Sequence, residues 1–214
     1  VRTGEPADLA EGNGFPWDPG IWTMAVHSTA GVLAAVDEAV TTGRASGSLS
    51  SGLHHARIDR GSGFCTVNGL AVAVHHLLDG SDSPVDSVAI LDVDAHCGGG
   101  TDSLVGADPR VVHLDLSTSG FDAYEPSGAG LLEVVSSDDD AYLAGLDRML
   151  ECLPDDAGLV LVNAGMDPHP GISLEALSER ERRIAERCRD RATAFVLAGG
   201  YTAVMSEERL IDLH

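Results

Sequence analysis

The residues best suited to chemistry sit together between Val88 and Gly100, in the stretch VAILDVDAHCGGG. Its first four residues, Val88 to Leu91, are apolar and mark a buried strand. Asp92, Asp94 and His96 then alternate with Val93 and Ala95, so on a continuing strand all three point to one side. Three glycines follow, where a backbone turns sharply or something approaches it closely. Two carboxylates and an imidazole converging at a buried strand end need a cation or hydrogen-bond partners. That donor set suits a divalent metal. The plainer alternative is a strand end running into solvent, where Asp and His are ordinary. Other reactive types are less telling alone. Tandem histidines such as His54-His55 are common on surfaces, as His75-His76 on a helical stretch are expected to be. Tyr201 alone reads as a core or rim tyrosine, Asp167 as a turn residue before Pro168, and Phe64 as core.

The elements that must position these residues follow from periodicity. Residues 1–20 are polar, carry Pro6, Pro16 and Pro19, and read as irregular. Ala25, Val26, Val32, Leu33, Val36 and Val40 recur at helical spacing over Ile21 to Val40, with Gly43 as the stop. A Ser/Gly-rich piece, Ser46 to Gly52, reads as a connection. Further helices are expected over Val67–Leu78, Tyr142–Leu153, Leu174–Arg191 and Ala203–Leu213. The third of these is rich in Glu and Arg pairs suited to i,i+4 contacts. Strands are expected at Val88, over Arg110–Leu116, over Leu159–Val162 and over Ala194–Leu197. Strands alternating with helices give an α/β fold with a mostly parallel sheet, and 214 residues suffice for one domain, 1–214. In such sheets ligands bind beyond the carboxyl ends of the strands. Asp94 and His96, Asp167, and Gly199-Gly200-Tyr201 each follow a strand, which makes a shared site the better reading.

Five segments in order, GLHHA (Gly52–Ala56), GFCTVN (Gly63–Asn68), LDVDAHCGGGT (Leu91–Thr101), NAGMD (Asn163–Asp167) and LAGGY (Leu197–Tyr201), resemble the zinc-dependent histone deacetylase superfamily. That superfamily includes bacterial acetylpolyamine amidohydrolase and acetoin-utilisation relatives. The stretch Asp59–Cys65, the DAH tripeptide and NAG before Asp167 look most like its class IV branch. The resemblance covers the chain from about Ile21 onward and implies a three-layer αβα arginase/deacetylase fold, shortened at both ends. It also implies Asp94, His96 and Asp167 as ligands of zinc, with Fe(II) also suited to the set. His54 and His55 would be the proton-transfer pair, Asp92 the carboxylate orienting His54, and Tyr201 the hydroxyl stabilising the oxyanion. Gly63 and Phe64 would line an acyl-lysine tunnel. Its second wall is expected near Tyr124-Glu125-Pro126, with Glu125 making the mouth acidic. A structural potassium ion is implied at the backbone carbonyls of Asp92, Asp94 and His96, with Asp115 where a Ser is common.

The chain departs from that pattern in places. Relatives have Asp or Asn where this chain has Gly99, supporting the second histidine, and many have His where it has Cys97. The expected reaction is removal of an acyl group from an amine such as acetyl-lysine or an acetylpolyamine. The alternatives are a weak or inactive acyl-amine sensor or oligomer subunit, and, more remotely, a binuclear manganese ureohydrolase, which needs a further bridging Asp near Cys97–Gly100. A net charge of -21, with Arg as the sole cationic side chain besides His, disfavours nucleic acid and anionic lipid as direct partners. It suits a cationic substrate, but the spread of acids along the whole chain fits better a by-product of codon composition or an adaptation to high salt, which added KCl would reveal by raising stability. Four scattered cysteines without paired spacing, and no long apolar run, point to a cytoplasmic protein with reduced thiols, away from the membrane, while the shortened fold the resemblance implies leaves room for a homo-oligomer.

Overall fold

A computed structural model describes residues 1–80, 83–201, 206–208 and 211. Six strands form one all-parallel sheet: β1 (Ala45–Ser51), β2 (Val88–Asp92), β3 (Val111–Ser117), β4 (Leu131–Val134), β5 (Leu159–Ala164) and β6 (Thr193–Leu197). The spatial order is β1-β6-β5-β2-β3-β4. The chain thus builds outward from β2 through β3 to β4, then returns to β5 on the other side of β2. The crevice at this reversal is where an open α/β sheet takes its ligand.

The helices are α1 (Ala7–Ala10), α2 (Gly20–Thr42), α3 (Gly69–Leu78), the single turn α4 (Gly99–Thr101) running into a π-helical turn at Asp102–Gly106, α5 (Asp139–Cys152) and α6 (Leu174–Arg187). Strand residues alternate between two cores. Val88, Ile90, Leu159, Leu161 and Val196 pack with Val32, Val36, Leu70 and Leu77 of α2 and α3. Ala89, Leu91, Val160 and Val162 pack with Tyr142, Leu146, Met149, Leu177 and Ile184 of α5 and α6. The result is three layers, αβα, and it explains why the central strands read as unbroken apolar runs.

Local chemistry fixes the helix ends. Asn68, Asp138 and Ser173 each accept a hydrogen bond from the backbone N–H three residues on, as good N-caps do. The acidic run Ser136–Asp140 is therefore the start of α5. Gly43 ends α2 in the left-handed region, as its position suggested. Two strands lie where none was expected. β1 is a Ser/Gly-rich edge strand whose pairing with β6 replaces an apolar signature, and β4 has only four residues. The helix expected over Ala203–Leu213 lies largely outside the described residues. Among those described, no helix is long and apolar enough to cross a membrane.

Candidate metal centre and its surroundings

The strand carrying the opening motif ends sooner than alternation predicts. β2 stops at Asp92, so Asp92, Asp94 and His96 do not share one pleated face. Asp92 Oδ1 accepts the Asp94 N–H at 3.2 Å, and Asp94 Oδ1 accepts the His96 N–H at 3.0 Å. These local turns end the strand and aim the side chains.

Asp94, His96 and Asp167 come from the loops after β2 and β5. One donor atom from each lies within 4.8 Å of the others. His96 Nδ1 is 3.2 Å from Asp94 Oδ1 and 3.2 Å from Asp167 Oδ2. Asp167 Oδ2 is buried beside His96 Nδ1 without a well-aligned hydrogen-bond donor, which is costly for a carboxylate oxygen unless a cation takes its lone pair. The donor set and this orphaned oxygen fit a divalent metal. Without one, the carboxylates of Asp167 and Asp94 beside its ring push His96 up to about 10. Burial works against charge on Asp94, yet His54 and His96 hold its carboxyl well below the usual range. Burial raises Asp167.

His54 and His55 follow β1, are both nearly buried, and face each other Nε2 to Nε2 at 3.1 Å. His54 Nδ1 donates to Asp92 Oδ2 at 2.8 Å. Asp92 is held in turn by Asn163 Nδ2 at 2.9 Å. Asn68 Nδ2 braces the histidine loop by donating to the carbonyls of His54 and Ala56. A carboxylate only accepts, so each Nδ1 facing one carries hydrogen. Two bare Nε2 lone pairs would repel at 3.1 Å; a proton between them removes the conflict. Burial lowers His54, but the charges of Asp92 and Asp94 outweigh it and push His54 up to about 10, so His54 holds that proton.

Tyr201, after β6, lines the hollow of about 140 Å³ that also exposes His54, His55, Asp94 and His96, with Gly63 and Phe64 on its rim. The same strand end is tied to the centre by Gly199 N–H donating to Asp94 Oδ2 at 2.7 Å. Phe64 has φ +64°, unusual for an aromatic residue. A 2.7 Å hydrogen bond from its N–H to Asn13 and a ring contact with Phe15 hold it there.

The loop after β3 departs from expectation. Phe121 lines a hollow together with Phe64, and its ring meets His55 and His96 edge-on at centroid distances of 5.1 and 5.8 Å. Tyr124 instead stacks on the buried His113 and donates to Asp115 Oδ2, so its ring is packed away. Glu125 is exposed and lies outside the lining of both adjoining hollows. Asp115, assigned above to a potassium site, accepts hydrogen bonds from Gly98 N–H, Ser117 and Tyr124. Burial and the neighbouring Asp92 push it up to about 7. Sequence reasoning missed Phe121, and also Asp122, whose Oδ2 lies 2.9 Å from His55 Nδ1. It missed Arg180 too. This arginine, fully buried in α6, donates to the carbonyls of Val93 and Gly165, one or two residues before Asp94 and Asp167.

The model of the histone deacetylase domain matches residues 3–212. An uncharacterised protein of Picosynechococcus is 31% identical over 206 residues, covering 88% of this chain and 66% of its own length. A probable deacetylase of Archaeoglobus fulgidus is 31% identical over 176 residues, covering 70% of this chain and 47% of its own. The crystal structure of acetylpolyamine aminohydrolase from Burkholderia pseudomallei superposes with a TM-score of 0.75 at 25% identity, covering 92% of this chain and 63% of that one. This chain therefore spans under two thirds of the length of each of these relatives. With the domain model matching nearly its whole length, on the expected fold, the chain belongs to the histone deacetylase superfamily.

Proposed function

We propose that the chain is a metal-dependent amidohydrolase that removes an acyl group from an amine, the substrate class being an acetyl-lysine, an acetylpolyamine or a similar small amide. The observation that carries this is the grouping of Asp94, His96 and Asp167, with Asp94 and His96 lining one hollow together with the His54-His55 pair and Tyr201. Zinc or Fe(II) held by those three residues would supply Lewis acidity, activating water and polarising the scissile carbonyl.

The chain's own groups supply the rest. His55 Nε2, which carries no hydrogen of its own, exchanges its bond to His54 for the attacking water, takes a proton from it, and returns that proton to the departing nitrogen as the C–N bond breaks. His54, its Nδ1–H held by Asp92, stabilises the negative charge that develops meanwhile. The Tyr201 hydroxyl donates to the oxygen that becomes an oxyanion. Phe64 and Phe121 sandwich the acyl-bearing chain and exclude water. Asp115 receives no cation in this scheme, because protein donors already occupy its oxygens. A single group of three ligands among the described residues favours one metal over the two of a ureohydrolase.

The test is turnover of fluorogenic acetyl-lysine and of acetylpolyamines by the zinc-loaded chain and by Tyr201→Phe. The expected result is activity that falls about 100-fold or more in the variant. Stoichiometric zinc with no turnover of any acylated amine would instead favour the sensor alternative.

A further inference from the structure

We propose that Asp122, clamped by Arg57, is the positioning residue for His55, and that position 99 is glycine because this pair fills its space. The proposal rests on the reading of His55 as a proton-transfer group.

Asp122 Oδ2 lies 2.9 Å from His55 Nδ1, although the two residues are 67 apart in sequence. The carboxylate is itself fixed from three directions. Arg57 Nη2 donates to Oδ1 at 2.7 Å and Nη1 to Oδ2 at 3.2 Å, the forked geometry that arginine makes with carboxylates. The Gly100 N–H donates to Oδ2 at 3.2 Å. Arg57 Nη1 also donates to the His55 carbonyl at 3.3 Å, so one guanidinium ties down both the backbone of His55 and its side-chain partner. Since the carboxylate only accepts, this arrangement keeps hydrogen on Nδ1 and leaves Nε2 as the acceptor, which meets His54 Nε2 in this structure.

Asp122 sits at φ +62°, a conformation that Asp, Asn and Gly tolerate and most side chains do not. A Cβ on Gly99 would lie 2.4 Å from the Asp122 carbonyl oxygen, 2.9 Å from Arg57 Nη2 and 3.0 Å from Asp122 Oδ1. A side chain at 99 and the Asp122–Arg57 pair therefore exclude each other. The support that relatives are expected to take from position 99 is here taken from the loop after β3. That loop also carries Phe121, so one short turn supplies both a wall of the hollow and the partner of His55. Burial disfavours charge on Asp122, but the hydrogen bonds from His55 and Arg57 hold its carboxyl below the usual range.

Asp122→Asn tests this, because Asn keeps the backbone conformation while losing the charge, and its amide can donate as well as accept. Two readouts are used on the full chain. In metal-free protein with 15N-labelled histidine, ring-nitrogen spectra report the His55 tautomer, with peaks assigned by His55→Gln. In zinc-loaded protein, kcat and KM are measured on whichever acylated amine the wild type hydrolyses. The expected result is a wild-type His55 with hydrogen on Nδ1, converted to a mixture of tautomers in Asp122→Asn, with zinc stoichiometry unchanged. The kcat should fall about 10–100-fold with KM within about twofold. Gly99→Ala, which pushes on the pair while leaving Asp122 in the sequence, should disturb the same His55 signals and serves alone if Asp122→Asn does not fold. An unchanged Nδ1–H signature for His55 in the folded variants would overturn the proposal. If the wild type hydrolyses none of the acylated amines, the proposed function fails, while the tautomer spectra still decide the role of Asp122.

Discussion

Arg180→Met removes a buried cation on which both metal-bearing loops lean. Arg180 Nη1 donates to Val93 O at 3.1 Å, Gly165 O at 2.6 Å and Tyr142 Oη at 3.2 Å, while the remaining guanidinium nitrogens face Glu181. Met is close in length and apolar, so the cavity left is small. The main cost is two carbonyls and a hydroxyl left buried without their charged donor, at about 1.5–3 kcal/mol per hydrogen bond. Glu181 is about a third exposed and regains water, which limits the penalty on its side. Nη1 has two hydrogens to share among these three acceptors, so about two bonds are lost, roughly 3–6 kcal/mol, and we take the roughly 3–5 kcal/mol typical of breaking other buried charged contacts. For a chain of this size that is a fall of roughly 6–20 °C in melting temperature. Because Val93 and Gly165 set the path into Asp94 and Asp167, zinc affinity should drop about 10–100-fold as well. Urea unfolding of the metal-free chain and competition titration of zinc measure the two effects. A variant within about 1 kcal/mol of wild type in stability, with unchanged zinc affinity, would refute the reasoning.

Stability of the metal-free chain should fall as pH rises, the reverse of what paired carboxylates produce. Asp115, pushed up to about 7, and His54, pushed up to about 10, both hold protons in the folded state that the unfolded chain releases. Their contributions are lost from about pH 4 to 7 and from about pH 6.5 to 10 respectively, so the melting temperature should be higher at pH 6 than at pH 9. A flat or rising trend between those values contradicts the assignment of those protons. Phe121→Ala should raise KM roughly tenfold or more, the effect of losing about 1.5 kcal/mol of apolar contact, whereas Glu125→Gln should leave KM within about twofold. A large effect from Glu125→Gln with none from Phe121→Ala would return the second wall to residues 124–126.

The sheet's centre was legible because β2 and β5 are buried along their whole length and β3 and β6 along most of it, so their residues are mostly apolar, and α2 and α3 because their inner faces recur at helical spacing. β1 was not: an edge strand half open to solvent can be built from Ser and Gly, and its signal is the partner strand rather than its own residues. The metal triad could be gathered because each member follows a strand, and parallel strands deliver their ends to one edge. The strand pattern itself misled for Asp92, Asp94 and His96, because side chains bonding to nearby backbone N–H groups ended the strand at Asp92. Asp122 and Arg180 were hidden for a different reason. Asp122 acts across 67 residues, and Arg180 sits in a helix whose other Glu and Arg side chains form surface pairs, so nothing local separates it from them. Likewise Tyr124 could not be separated from Phe121 until His113 and Asp115 were seen to claim its ring and hydroxyl.

The most direct test is metal content. Wild type and His96→Ala are loaded with excess zinc, passed over a desalting column and assayed by mass spectrometry of the metal. The ligand geometry predicts about one zinc per wild-type chain, matching the single triad, and background levels in His96→Ala. Undiminished zinc in a folded His96→Ala would contradict the metal centre, and with it the proposed chemistry.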